Sequence, residues 1–143
     1  MVAPSGHAEA DSRNLVEVRI AASAAQISAV RVVAADIAAR QDFDLDAVSD
    51  LRMAVDEACA TLVPLAVPGS VLSCRFMVGV DSIEVLAKVN VPRPTRVQQN
   101  TFGWRVLSTL TDEVQAISQD FDDADGRPSV GILLCLRRDR TIG

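Results

Sequence analysis

The chain has 143 residues, 49% of them hydrophobic and 23% charged, a balance that supports one packed core and excludes global disorder. Its formal net charge of −5 repels phosphate backbones, which argues against direct nucleic-acid binding and suits a basic protein partner. The single histidine, His7, and three scattered cysteines without a Cys-x-x-Cys offer no metal-ligand set.

Residues 1–13 are rich in Gly, Ser, Ala and Asp and have no basic region followed by an apolar core. They read as a disordered lead-in rather than a signal peptide, with one domain expected over 14–143. No apolar run reaches membrane-spanning length. Val16, Val18 and Ile20 alternate with Glu17 and Arg19, the period of a half-buried strand. Ser23 offers an N-cap and Gln26 completes a capping box. Ile27, Val30, Ala34 and Ile37 then recur at helical spacing, predicting a helix from Ala24 to about Arg40. After the short polar segment Gln41–Asp44, a second helix is expected from Leu45 to about Val63. Its apolar stripe is Val48, Leu51, Val55, Ala58 and Leu62, and Pro64, Pro68 and Gly69 end it.

Val71–Val80 and Ile83–Val89 read as strands of an antiparallel hairpin turning at Asp81-Ser82, the second with Ile83, Val85, Ala87 and Val89 on one face. The segment Asn90–Asn100, broken by Pro92 and Pro94, is an exposed loop. Thr101 can cap a third helix to about Leu110, and Glu113–Ile117 and Val130–Leu136 read as two further strands. The order β-α-α-β-β-α-β-β predicts an α/β (α+β) two-layer sandwich, with a mixed, largely antiparallel sheet carrying its helices on one face. Cys59, Cys74 and Cys135 lie in apolar stretches and read as reduced, buried filler in a cytoplasmic protein. A Cys74–Cys135 bridge between strands stays open, as does a redox role.

Two segments carry a family resemblance: DLRMAVDEACATLV, Asp50–Val63, and FGWRVLSTLTDEV, Phe102–Val114. The pair is similar to the N-box and last glycine box of the GHKL (Bergerat-fold) ATPases, and more closely to the RsbW-type anti-sigma serine kinases. The family's N-box runs roughly A-V-S-E-A-C-T-N, and Ala54-Val55-Asp56-Glu57-Ala58-Cys59-Ala60-Thr61 follows it through the glutamate. In the later motif Gly103, Val106, Leu107, Leu110, Asp112, Glu113 and Val114 hold comparable places, and Gly131 sits where the family begins its last strand. The element order matches the family over about Leu15–Arg138.

The resemblance implies a Bergerat fold and a Mg-ATP site, of which this chain keeps part. Glu57 stands at the general-base position. Thr61 replaces the asparagine that holds Mg²⁺, an ion with strict octahedral demands. Gly103 stands alone where the family often has two glycines opening a helix N-terminus to phosphate. The family's D-x-G-x-G after the hairpin is absent from Ala87-Lys88-Val89-Asn90-Val91-Pro92. Mg-ATP or Mg-ADP binding is therefore expected to be weak or lost, and no cofactor is firmly implied.

Arg31 corresponds to a family arginine that contacts the sigma factor, and arginine is frequent at interface hot spots; a plain surface arginine is the alternative. Asp56 reads as a surface acid paired with Arg52 at i,i+4. Trp104 reads as core, with Phe102, Trp104 and Phe121 as a partner-facing alternative. The resemblance implies an anti-sigma factor that sequesters a sigma factor and is countered by an antagonist with a STAS domain, as a cytoplasmic homodimer in a stress-response circuit. The alternatives are an ATP-dependent serine kinase acting on that antagonist and a scaffold module.

Overall fold

In the computed structural model, which describes residues 14–122 and 125–138, the alternating segments become the strands β1 (Leu15–Ala21), β2 (Val71–Val78), β3 (Ser82–Asn90), β4 (Glu113–Gln119) and β5 (Ser129–Arg137). The helices are α1 (Ile27–Arg40), α2 (Leu45–Leu62) and α3 (Phe102–Leu110). The expected N-terminal tail and His7 lie outside the described residues, as do Asp123 and Ala124.

One sheet holds all five strands in the order β1-β2-β3-β5-β4, and each neighbouring pair is antiparallel. The expected mixed sheet is thereby corrected, and the reason is topological. The α1–α2 hairpin brings the chain back to the end of the sheet from which β1 left it, so β2 runs against β1. The single helix α3 does make β4 parallel to β3, but β5 folds back between them and pairs with both. No parallel ladder remains among the described residues.

The alternation of each strand decides which side of the sheet is covered. Leu72, Cys74 and Phe76 of β2, Ile83, Val85, Ala87 and Val89 of β3, and Val130, Ile132, Leu134 and Leu136 of β5 are all buried in one cluster with the helices. Fully burying a Leu, Ile or Phe side chain stabilises by about 1.5–3 kcal/mol, and this cluster supplies the main drive for folding. Into it α2 presses Ala47, Leu51, Ala54, Val55, Ala58, Cys59 and Leu62, and α1 presses Ile27, Val30, Ala34, Ile37 and Ala38. Gly131 lets β5 approach β3 closely: a Cβ there would stand 2.8 Å from the Ala87 carbonyl oxygen.

Several local details differ from the expectation. Ala24–Gln26 form a 3₁₀ turn ahead of α1. The capping box does not close there, because Ser23 N–H donates to Ala21 O at 2.7 Å while its Oγ accepts weakly from Ala25 N at 3.4 Å. The cap of α2 is Asp44, whose carboxylate accepts from Ala47 N at 2.8 Å. In the β2–β3 hairpin Gly79 N donates to Ser82 O at 2.8 Å, so the turn sits at Val80-Asp81, one residue earlier than expected. The loop after β3 is not wholly exposed, for Val91 and Val97 are buried in the core.

Candidate functional site

Glu57 and Thr61 stand one turn apart on α2, near the C-terminal end of the helix. The Thr61 hydroxyl donates to Glu57 Oε2 at 3.4 Å, a long hydrogen bond. Gly103 lies far along the chain, yet the packing of α3 on α2 brings it directly against this pair. The Glu57 carboxylate occupies the place that a Cβ on residue 103 would take, and its Cδ would lie 3.2 Å from that atom. The structure thus gathers the three residues expected to touch a nucleotide.

Around them is an open cavity of about 370 Å³ lined by Glu57, Thr61, Leu65, Thr95, Arg96, Gln98, Thr101 and Gly103. Thr101 starts α3 by accepting from Trp104 N at 3.1 Å, so the first free N–H groups of α3 face this region. A helix N-terminus carries a partial positive charge, and Glu57 has placed its own carboxylate there. A phosphate approaching α3 meets that carboxylate first. Arg96 supplies the only positive charge among the described lining residues, and its guanidinium donates to Ser118 Oγ on β4.

Arg96 is the charged lining residue that sequence reasoning missed, with Thr95 and Gln98 beside it, because a polar, proline-broken loop reads as exposed connection. The available signal was a basic residue just upstream of a glycine-bearing helix start. Buried Val91 and Val97 hold the loop in place, and Val91 N donates to Pro128 O at 3.0 Å.

The stretch that replaces the first glycine box has other duties. Ala87 and Val89 are buried in the core. Lys88 points to the opposite face and forms an ion pair with Asp122, whose side chain is nearly buried. No residue from Ala87 to Pro92 lines the cavity, and no group of three or more His, Cys, Asp or Glu side chains able to hold a metal occurs among the described residues. Among the described lining residues Glu57 is the one carboxylate, with the hydroxyls of Thr61, Thr95 and Thr101 and the amide of Gln98 around it, and Thr61 stands where the family uses an asparagine to hold Mg²⁺.

Arg31 lies elsewhere, on the outward side of the α1–α2 pair. Its Nη2 and Nε donate to Asp56 Oδ1 at 3.0 and 3.2 Å, with the two side chains 43% and 45% exposed. This corrects the expected Asp56–Arg52 pairing: the packing of α1 on α2 offers Asp56 a cation across the helix interface. The exposure leaves Arg31 reachable by a partner.

Trp104 packs against the core, whereas Phe102 and Phe121 are 80% and 77% exposed. The open Cys74–Cys135 bridge is excluded by geometry. Cys74 faces the helices, Cys135 lies on the opposite face between Glu84 and Glu113, and β3 separates their strands. Burial pushes the Cys135 thiol up to about 11. The sulfur that does approach Cys74 is that of Cys59, at 3.7 Å.

No family model matches the chain. Among curated proteins it is 36% identical over 126 residues to a Mycobacterium tuberculosis (strain CDC 1551 / Oshkosh) protein named anti-sigma-F factor RsbW, a match covering 86% of this chain and 73% of that one. It is 24% identical over 125 residues to a Bacillus cereus (strain B4264) protein named serine-protein kinase RsbW, covering 73% and 78%. A Bacillus thuringiensis subsp. konkukian protein of the same name matches at 23% identity over the same shares.

Proposed function

The chain belongs to the RsbW-type anti-sigma factors, and from that premise we propose that it sequesters its sigma factor by protein contacts alone, without working as a kinase. A sigma factor is the partner that goes with this family. The observation that carries the non-catalytic reading is the Glu57 carboxylate seated on Gly103 at the start of α3. An anion already fills the place where a triphosphate would be received, and Ala87–Pro92 supplies neither an acceptor carboxylate for adenine nor a pliable glycine backbone. Binding of Mg-ATP or Mg-ADP is accordingly weak or lost. Release of the sigma factor then depends on a competing protein, an antagonist of the STAS type, acting on a homodimer in the cytoplasm. Among the described residues no helix is long and apolar enough to cross a membrane.

Arg31 is the contact we assign to the sigma factor, on the exposed side of the α1–α2 pair. The direct test is titration of the purified protein with Mg-ATP and Mg-ADP, followed by capture of the sigma factor with and without nucleotide. Sigma binding that is equally strong in both conditions, with no heat of nucleotide binding, supports the proposal. Micromolar nucleotide binding that changes sigma affinity refutes it.

A specific observation favours the second reading, a serine kinase acting on the antagonist: Glu57, Thr61 and Gly103 line one cavity. A general base needs only reach and an orienting partner, and Thr61 orients Glu57. Phosphate transfer from ATP to a serine of the antagonist, abolished in Glu57→Ala, would establish this reading over the first.

A further inference from the structure

The core of the protein holds two cysteine sulfurs in contact. Cys59 comes from α2 and Cys74 from the middle of β2; both side chains are buried, and their Sγ atoms are 3.7 Å apart. A disulfide requires about 2.05 Å, so the sulfurs must close by a little under half their separation. Cys74 is paired with Val18 on one side and Ala87 on the other, so its backbone is fixed by two neighbouring strands. Cys59 sits on the buried face of α2, two residues after Glu57. Two small apolar residues would fill this space equally well, but two alanines would leave no reactive pair across the helix–sheet interface.

We propose that Cys59 and Cys74 are a redox modification site, a dithiol that a peroxide converts to a reversible disulfide tying α2 to β2. The chemistry balances with one peroxide per pair. One sulfur attacks a peroxide oxygen, the O–O bond breaks, and that thiol's proton leaves with the departing oxygen as water, giving a sulfenic acid. The second sulfur attacks the first, the S–O bond breaks, and the hydroxyl leaves with the second proton as another water. Two thiols are oxidised by two electrons, and the peroxide oxygens are reduced to water. As folded, the hydrogen bond between the two sulfurs, together with burial, keeps the Cys59 thiol protonated well above the ordinary range. The pair is therefore slow to react, and its oxidation follows brief separation of α2 from the sheet. Cys135, on the other face, is no competitor for either sulfur.

The experiment treats the native Cys135→Ser protein with hydrogen peroxide at neutral pH and maps it without reduction. The expected product is lighter by two hydrogens, yields one peptide joining Cys59 to Cys74, and returns to the starting mass with dithiothreitol. Its unfolding midpoint lies several degrees higher than that of the reduced protein, a shift absent from Cys74→Ala. Should the serine variant fail to fold, the same map of the wild-type protein decides the question. Free thiols after prolonged exposure, sulfinic or sulfonic acids without the cross-link, or a cross-link formed only in denaturant would each overturn the proposal.

Discussion

The contact between Glu57 and Gly103 can be tested by a double-mutant cycle whose sign depends on the geometry. Replacing a helical glycine with alanine gains about 0.5–1 kcal/mol, because the unfolded chain loses freedom. Gly103 has no positive φ, so alanine suits its backbone. The new methyl group, however, would enter the space of the Glu57 carboxylate. That side chain is flexible and swings away, losing the long hydrogen bond from Thr61 and its place at the start of α3. Those losses amount to roughly 0.5–1.5 kcal/mol, from a weak hydrogen bond and a helix-dipole interaction. In the wild-type background gain and loss largely offset, so Gly103→Ala falls between about 0.5 kcal/mol stabilising and about 1 kcal/mol destabilising. In a Glu57→Ala background only the gain remains, so the same substitution stabilises by about 0.5–1 kcal/mol. Urea denaturation of the four proteins measures the cycle, given unchanged m-values. If Gly103→Ala stabilises both backgrounds equally, Glu57 is not seated on Gly103, and the argument for an occupied phosphate position falls with it.

Arg31→Glu should abolish sigma capture while costing at most about 1 kcal/mol of stability, since its pair with Asp56 is half-exposed. The double swap Arg31→Asp with Asp56→Arg should recover the stability but not the capture; recovery of both would reduce Arg31 to a structural residue. Thr101→Ala removes the cap of α3 and should lower stability by about 1 kcal/mol in thermal unfolding, with an unchanged midpoint contradicting the cap. The raised Cys135 thiol, held protonated by burial to about 11, stabilises the fold fully below the unfolded value near 8.5. That contribution is lost as pH rises through about 11. Peptide-mapped alkylation of native Cys135 should accordingly accelerate only towards pH 11, and a midpoint near 8.5, that of a free thiol, would show the residue to be solvated.

Periodicity carried the sequence reading of the elements. The stripe on α2 and the alternation of β3 both state which side is buried: Leu51, Val55, Ala58 and Leu62 of α2 and Ile83, Val85, Ala87 and Val89 of β3 are buried, while Val48 is only partly so and Ala47 is buried beside it. Strand order is another matter: β5 lies between β3 and β4, and no local pattern in either strand records a neighbour chosen by chain return. The same limit governs Asp56. An i,i+4 partner can be read from spacing, but the cation it takes is 25 residues away, chosen by how α1 lies on α2. The site divides in the same manner. Glu57 and Thr61 are one helical turn apart and legible as a pair, while Arg96 reaches the cavity only because two isolated valines, Val91 and Val97, anchor an otherwise polar loop.

Three neighbouring positions of α2 point in three directions, and that arrangement bears on how the protein can be controlled. With about 100° between successive residues, Asp56 faces α1 and holds Arg31, Glu57 faces α3, and Cys59 faces the sheet. The outward surface around Arg31 and the cavity at α3 are thus two sides of a single rigid turn, with Leu51, Val55, Ala58 and Leu62 locking that turn into the core. A helix packed this tightly does not bend to pass a signal, since buried side chains tolerate little displacement. It can only shift or stay. Control by a protein that covers the Arg31 face requires no such shift, whereas a nucleotide at α3 would have to swing the Glu57 side chain off Gly103. The proposed release of the sigma factor by a competing protein therefore needs no movement of α2.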